Sequence, residues 1–308
     1  MRVDAVIDVA EETKIVSLVP TDEQCVALAE PGAHIDLHLP NGMVRQYSLI
    51  LGLSPADRQY LVAVKRDKQG RGGSDYFHRS IASGSTMLVG GPRNNFPLSE
   101  FCAHTVLIAG GIGITPIWSM MRSLEERRRS FELHYAVKSR AEALFLDHLD
   151  RRAHVHVHID DEAGNLLDIE AVCRRADPEA HLYCCGPAPM LASFQRAASS
   201  RPSGRIHTES FAAAVPAVGI GGFEIELSRT GVILKVESGK SILETVREAG
   251  IDAVASCEQG VCGACETVVL GGVPDHRCEV LTPEQRAEGR SMMICCGGAK
   301  TSRLVLDL

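Results

Sequence analysis

Cys257, Cys262 and Cys265 stand at C-x4-C-x2-C spacing, and 29 residues separate Cys265 from Cys295. That is the ligand spacing of a plant-type 2Fe–2S cluster. A loop carrying Gly260, Gly263 and Ala264 can wrap a compact inorganic core and leave backbone N–H groups for its sulfurs. The fourth thiolate would then come from a distant strand. Structural zinc sites more often show two C-x2-C pairs, and only one occurs here. Thiolate chemistry at iron is therefore the expectation for this stretch.

Two further stretches could hold a phosphorylated cofactor. Arg45-Gln46-Tyr47-Ser48 reads as a strand; an Arg can fork onto a phosphate and a Tyr ring can pack on a planar heterocycle. Strand alternation puts Arg45 and Tyr47 on one face and Ser48 on the other, unless the strand bends. About 25 residues on, Gly70-Arg71-Gly72-Gly73-Ser74 leads into a helix expected over 75–81. Amides, a hydroxyl and a helix N-terminus converge there, as in a phosphate cradle. A plain strand and a plain glycine turn are the competing readings.

Thr105–Ala109 is a continuous apolar run, as in a parallel strand covered on both faces. It enters Gly110-Gly111-Ile112-Gly113-Ile114-Thr115-Pro116 and then a helix. A strand, glycine loop and helix in that order suit a dinucleotide phosphate, although this is not the G-x-G-x-x-G fingerprint. His181–Cys185 is a second such strand, opening into Gly186-Pro187-Ala188-Pro189-Met190. Cys185 would sit at a strand's carboxyl edge, where open α/β sheets bind ligands.

His154, His156 and His158 alternate along one expected strand. Neighbours ~6.6–7 Å apart along a strand share an ion only with distortion, so a polar strand face is the simpler account. Cys25, Cys102, Cys173, Cys184 and Cys278 read as small core or neutral positions.

These stretches need three kinds of scaffold. Residues 1–100 are rich in short strands separated by turns, which suggests a closed antiparallel β-barrel. Residues 101–212 alternate strand and helix, including a helix over 141–149, which predicts a doubly wound, mostly parallel α/β sheet. Residues 213–222 are small, with Gly and Pro, and read as a linker. Residues 223–308 begin with a hairpin and a capped helix, an α+β unit.

The chain has 308 residues and a net charge of −7, which argues against nucleic-acid binding. Residues 221–308 carry 13 acidic and 9 basic residues, an acidic balance that suits steering of a basic partner or plain solubility. No apolar run approaches a membrane span, and Met1–Asp8 has no secretory pattern. A soluble cytoplasmic protein is expected, its eleven cysteines serving as thiols or metal ligands.

Taken in order, these motifs resemble the phthalate dioxygenase reductase family, including vanillate O-demethylase reductases. Glu209-Ser210-Phe211, Pro274-Asp275-His276-Arg277 and Met292-Met293-Ile294-Cys295 add to the likeness, which covers essentially the whole chain. The resemblance implies a flavin domain holding FMN, an NADH domain and a β-grasp ferredoxin domain with Cys257, Cys262, Cys265 and Cys295 as ligands. Arg45 and Ser74 would hold the FMN phosphate. Gln46, Tyr47, Ser48, Val62, Ala63, Val64 and the loop Gly70, Arg71, Gly72, Gly73 would complete that site, with Ser48 near flavin N5. Thr115 and Phe211 would close over the flavin. Gly111, Ile112, Gly113, Cys185, Gly186, Pro187 and Met190 would line the nicotinamide site, with Cys185 either placing the ring or merely packing. No side chain need act as a general acid or base. The implied partner is a separate Rieske non-haem iron oxygenase acting on an aromatic acid or aryl ether, and the implied state is a monomer. One departure stands out: the family follows its fourth cysteine with one residue and then Ser-Arg, whereas here Cys295 precedes Cys296-Gly297-Gly298. Cys296 remains an alternative fourth ligand, although the resemblance and the gap favour Cys295. Lys138 and Arg140 could serve an NADP phosphate or be solvated loop charges; the resemblance favours NADH.

Overall fold

The computed structural model describes residues 1–22, 26–53, 58–99, 102–150, 152–211 and 222–308. Cys25, the Ser54-Pro55 turn and nearly all of the expected linker lie outside the described residues. The chain divides into two compact units, Met1–Ser210 and Phe211–Leu308.

The first unit opens with strands β1 (Arg2–Ala10), β2 (Thr13–Val19), β3 (His34–His38), β4 (Val44–Ser48) and β5 (Tyr60–Lys65), helix α1 (Gly73–Ser80) and β6 (Leu88–Val89). They form two antiparallel sheets, β1-β2-β5 and β4-β3-β6. Single bridges, Arg2 to Thr86 and Leu49 to Val62, join the sheets at their margins. Val16, Leu18, Ile35, Leu37, Val62, Val64 and Phe77 fill one buried core between them. Within β3, Asp36 is buried; Arg93 forks onto its carboxylate at 2.8 and 2.9 Å, and Gln46 donates to it at 3.1 Å. A buried carboxylate left without such partners would cost several kcal/mol, so this pairing holds β3 and β4 in register.

The unit continues with β7 (His104–Gly110), α2 (Ile114–Glu126), β8 (Ser130–Val137), α3 (Leu146–Leu149), β9 (Val155–Ile159), α4 (Asp160–Ala163), α5 (Ile169–Arg175), β10 (His181–Cys185), α6 (Ala188–Ala198) and β11 (Ile206–Glu209). The five strands form one parallel sheet in the order β11-β10-β7-β8-β9. Alternation along each strand feeds two cores. Leu107, Ala109, Leu133 and Tyr135 pack with α2, while Val106, Ile108, Leu182 and Cys184 pack with α5 and α6. This is the doubly wound layering expected from the apolar runs.

The helix expected over 141–149 is broken. Only Leu146–Leu149 is α-helical, after a short turn at Arg140–Glu142, and Phe145 takes a left-handed φ of 62°. Tertiary contacts override local propensity here: the Phe145 ring stacks on Trp118 at 4.4 Å, and the Leu144 N–H donates to buried Tyr135 Oη at 3.1 Å.

The second unit contains β12 (Phe223–Leu227), β13 (Val232–Val236), α7 (Ile242–Glu248), β14 (Glu266–Gly271), β15 (Pro274–Asp275), α8 (Pro283–Glu288), β16 (Ser291–Met293), β17 (Gly298–Ala299) and β18 (Arg303–Leu306). A mixed five-stranded sheet, β13-β12-β18-β14-β16, packs against α7. The expected capping box is present: Ser241 Oγ accepts from the Glu244 N–H, and Glu244 accepts from the Ser241 N–H. Among the described residues, no helix is long and apolar enough to cross a membrane.

Candidate functional site

The cysteine loop, 257–265, is folded around its thiols. Cys257, Cys262, Cys265 and Cys295 are all buried in the second unit. The Gln259 N–H donates to Cys257 Sγ at 3.3 Å and the Ala264 N–H to Cys262 Sγ at 3.4 Å. The loop needs left-handed backbone at Glu258, Gly260 and Gly263. At Gly260 a side chain is also excluded by space, because a Cβ would fall 2.5 Å from Cys296 Sγ and 3.1 Å from Cys278 Cα.

The thiols are close enough to bond one another. Cys257 is pulled down to about 2 because Cys262 and Cys295 donate to it, as do the amides of Gln259 and Val261. Cys295 is pushed up because it lies between Cys257, Cys265 and Cys296. Amides that favour thiolate are what a negatively charged iron–sulfur core requires. Cys295 therefore joins the constellation. Cys296 Sγ touches Cys295 but donates to the Met293 carbonyl at 3.8 Å and lies against the turn at Gly260 and Cys278. The donor set fits a 2Fe–2S cluster.

The unusual Gly297-Gly298 also has a local explanation. A Cβ at Gly297 would stand 2.6 Å from Met292 Cε and 2.9 Å from the Met293 carbonyl oxygen. Gly298 lies against Asp275 and Arg277, which pair at 2.8 Å. A guanidinium thus remains near this turn, supplied by another residue.

In the first unit, the fold brings Arg45 to the Gly70–Ser74 loop. Arg45 donates to the Arg71 carbonyl at 3.1 Å and crosses Gly73 so closely that a Cβ there would be 2.2 Å from Arg45 Nε. Gly72 supplies the left-handed φ of 79° that opens α1, with no side chain capping the helix. Ser74 Oγ accepts from the Asp67 N–H at 2.9 Å, which shapes the loop. Guanidinium and helix N-terminus together suit one phosphate. Gln46 is committed to Asp36, so its part is to brace the strand. Val62 and Val64 are core residues, and Ala63 is buried beside them.

Tyr47 packs edge-on against Phe77 at 6.3 Å, and burial pushes its phenol well up. Ser48 is buried, and its hydroxyl has no partner among the described residues. Such an orphan costs about 1–3 kcal/mol unless something fills it. It fits a flavin ring atom seated there.

Helix α2 locks onto the chain just after Ser48. Ser119 Oγ donates to the Leu49 carbonyl at 2.8 Å and accepts from the Leu51 N–H at 3.0 Å; Trp118 Nε1 donates to the Leu51 carbonyl at 3.1 Å. Thr115 is one turn earlier on α2, buried, with its hydroxyl on the Ile112 carbonyl at 3.0 Å. Trp118 and Ser119 are positioning residues that the sequence reading missed; no local pattern distinguishes them from ordinary helix residues. Phe211 belongs to the second unit and is half-exposed.

The two glycine loops meet at the carboxyl ends of adjacent strands, with Ala109 opposite Cys185. A Cβ at Gly113 would fall 2.2 Å from the Cys185 carbonyl, and one at Gly110 or Gly186 would fall 2.7 Å from Met190 Sδ. Gly111 has φ 53°, and Pro187 abuts Gly110. Gly111, Ile112, Gly113, Cys185, Gly186, Pro187 and Met190 thus lie together at the carboxyl ends of β7 and β10, beside α2 and α6.

Glu209 opens the Glu209-Ser210-Phe211 stretch. It pairs with Cys185 in the parallel register, and the Cys185 thiol donates to Glu209 Oε2 at 3.9 Å. Burial pushes the Glu209 carboxyl up to about 8, and burial next to Glu209 pushes the Cys185 thiol up. Burial thus disfavours charge on both groups at the carboxyl ends of these strands. Arg140 forks onto Glu162, with Nη2 to Oε2 at 3.0 Å, and is near Asp150 at 4.0 Å. That acidic company disfavours a second phosphate at this place.

Comparison with known proteins agrees with this geometry. Residues 225–300 match the model of the 2Fe-2S iron-sulfur cluster binding domain, and residues 107–196 match the oxidoreductase NAD-binding domain. The phenoxybenzoate dioxygenase subunit beta of Ectopseudomonas oleovorans is 44% identical over 310 residues, covering 100% of this chain and 97% of that protein. The tetrachlorobenzoquinone reductase of Sphingobium chlorophenolicum is 41% identical over 318 residues, covering 100% and 97%. Among solved structures, phthalate dioxygenase reductase, described as modular for electron transfer from pyridine nucleotides to its iron–sulfur cluster, aligns with a TM-score of 0.73 at 35% identity, covering 100% of this chain and 97% of that one.

Proposed function

The chain belongs to the phthalate dioxygenase reductase family, and we propose that it is the NADH-dependent reductase component of an aromatic oxygenase system. The observation that carries this reading is the coexistence of two arrangements in one chain: the glycine loops packed together at the carboxyl ends of β7 and β10, beside Cys185 and Glu209, and the buried thiols of Cys257, Cys262, Cys265 and Cys295.

Bound FMN would accept a hydride from NADH, and a bound 2Fe–2S cluster would pass its two electrons onward one at a time. The chain's own residues bind and orient. Arg45, with the amides that open α1, would hold the flavin phosphate. Ser48 would offer its hydroxyl to the ring, and Tyr47 would flank it. Gly111, Gly113, Gly186, Pro187 and Met190 would admit the dinucleotide backbone closely, and Thr115 would border the flavin. Cys185 and Glu209 would keep charge away from the nicotinamide. The amides at Gln259 and Ala264 would hold the cluster sulfurs.

The domain limits that suit this reading are 1–100 for FMN, as a closed barrel, 101–212 for NADH, and 223–308 for a β-grasp ferredoxin, with 213–222 as linker. The partner would be a terminal Rieske oxygenase acting on an aromatic acid or aryl ether, and the reductase a cytoplasmic monomer. A second acceptor class, a quinone, is favoured by the relative named for tetrachlorobenzoquinone.

NADH-driven reduction of cytochrome c tests the reading. The purified protein carrying flavin and cluster should turn over, and oxygenase coupling should exceed quinone reduction. A fully loaded protein that does not oxidise NADH with any acceptor would overturn it.

A further inference from the structure

On the face of the parallel sheet covered by α5, three ligand groups converge that the redox relay does not use. Glu132 and His134 lie two apart on β8, so both side chains leave the same face. His156 stands opposite His134 in the parallel register of β9. The two imidazoles stack at 4.9 Å with 24° between their planes. His134 Nε2 is 3.4 Å from Glu132 Oε1, yet it makes no hydrogen bond of acceptable geometry and is buried without a partner. His134 as a whole is 9% exposed. One nitrogen or oxygen atom from each of the three residues lies within 4.8 Å of the others.

We propose that Glu132, His134 and His156 form a binding site for a divalent transition metal of the zinc class. Spacing supports it. Imidazoles two apart on one strand stand ~6.6–7 Å from each other, whereas neighbours on paired strands are ~4.8 Å apart, within reach of a shared ion. His154, His156 and His158 therefore do not act together. His154 packs on Phe131 and lies 4.0 Å from Glu125; His158 bonds the Asn165 carbonyl at 2.9 Å and faces Asp160 at 3.5 Å. Only His156 finds a second imidazole, across the sheet.

The chemistry is that of a His₂Glu site: two neutral nitrogens and one carboxylate, with a position left for water. The cleft of about 470 Å³ is also lined by Leu167, Val172, His158 and Arg175. Arg175 opposes a cation and keeps affinity below that of a structural zinc site. His156 is exposed and gives the ion its entry.

The test uses the full chain with flavin and cluster in place, dialysed against buffered Zn²⁺. The wild type should bind one equivalent more than His156→Gln, an exposed and structurally mild change, or should bind that equivalent at least ~10-fold more tightly. His154→Gln and His158→Gln should match the wild type. X-ray absorption at the zinc edge should show nitrogen and oxygen neighbours for this equivalent. Equal binding by wild type and His156→Gln, equal loss in His154→Gln or His158→Gln, or sulfur around the ion would each overturn the proposal.

Discussion

At the scale of single residues, two pairs of neighbours carry the sharpest expectations. Cys295 lies among the other thiols of the loop, while adjacent Cys296 faces Gly260 and the Met293 carbonyl. Cys295→Ser should abolish the visible 2Fe–2S spectrum and leave NADH-driven flavin bleaching intact; Cys296→Ser should keep the spectrum. The reverse result would reassign the ligand. The second pair is Cys185 and Glu209. Glu209 rises from 4.5 unfolded to about 8 folded. A raised carboxyl binds its proton more tightly when folded, so its contribution is complete below about pH 4.5 and is lost as pH climbs through 8. At ~1.36 kcal/mol per pH unit, this is on the order of 3–5 kcal/mol across that window. Urea midpoints of the wild type should fall from pH 6 to 9, and those of Glu209→Gln should fall far less. Parallel curves would mean that Glu209 ionises as it does in water. The pairing could not be found by periodicity: Cys185 was placed at a strand edge, but Ile206–Glu209 is a four-residue strand whose place beside it is set across the sheet.

At the scale of elements, the recurring device is a glycine that lets another chain segment come close. Gly73 is not required by backbone angle; it is required because Arg45 lies across it. Gly73→Ala should push the guanidinium off the opening of α1 and weaken FMN retention by ~10-fold or more, a loss like that of a bidentate phosphate contact. Flavin release on dilution measures it, and unchanged retention would remove Arg45 from the phosphate site. Continuous runs of the parallel sheet were legible: Thr105–Ala109 and His181–Cys185 fall within β7 and β10. The broken helix at 141–149 was not legible, because stacking on Trp118 and the bond to Tyr135 are long-range events. Helix α8 does carry a local signal, the capping box of Thr282 and Gln285.

At the scale of the whole molecule, the chain combines a unit that binds nucleotides with a unit that gathers thiols. Its preference between dinucleotides follows from charge. Arg140 was one of two basic groups available for a 2′-phosphate, and Glu162 holds it. NADH should therefore exceed NADPH in kcat/KM by at least ~10-fold, about 1.4 kcal/mol, and an NADPH preference would show that Arg140 is released on binding. The sequence by itself determined the cluster ligands' spacing, the doubly wound order of strand and helix, and the glycine loops. These are local or periodic properties, written in neighbouring residues. Only the tertiary structure decided that Cys295 lies against Cys257 and Cys265 while Cys296 donates to the Met293 carbonyl, that Ser48 has an unpartnered hydroxyl among the described residues, that Glu209 lies beside Cys185, and that His156 meets His134 rather than His154 or His158. Each of these depends on which residues from distant parts of the chain share a small dry volume, where burial and contact, not sequence spacing, set protonation and partners.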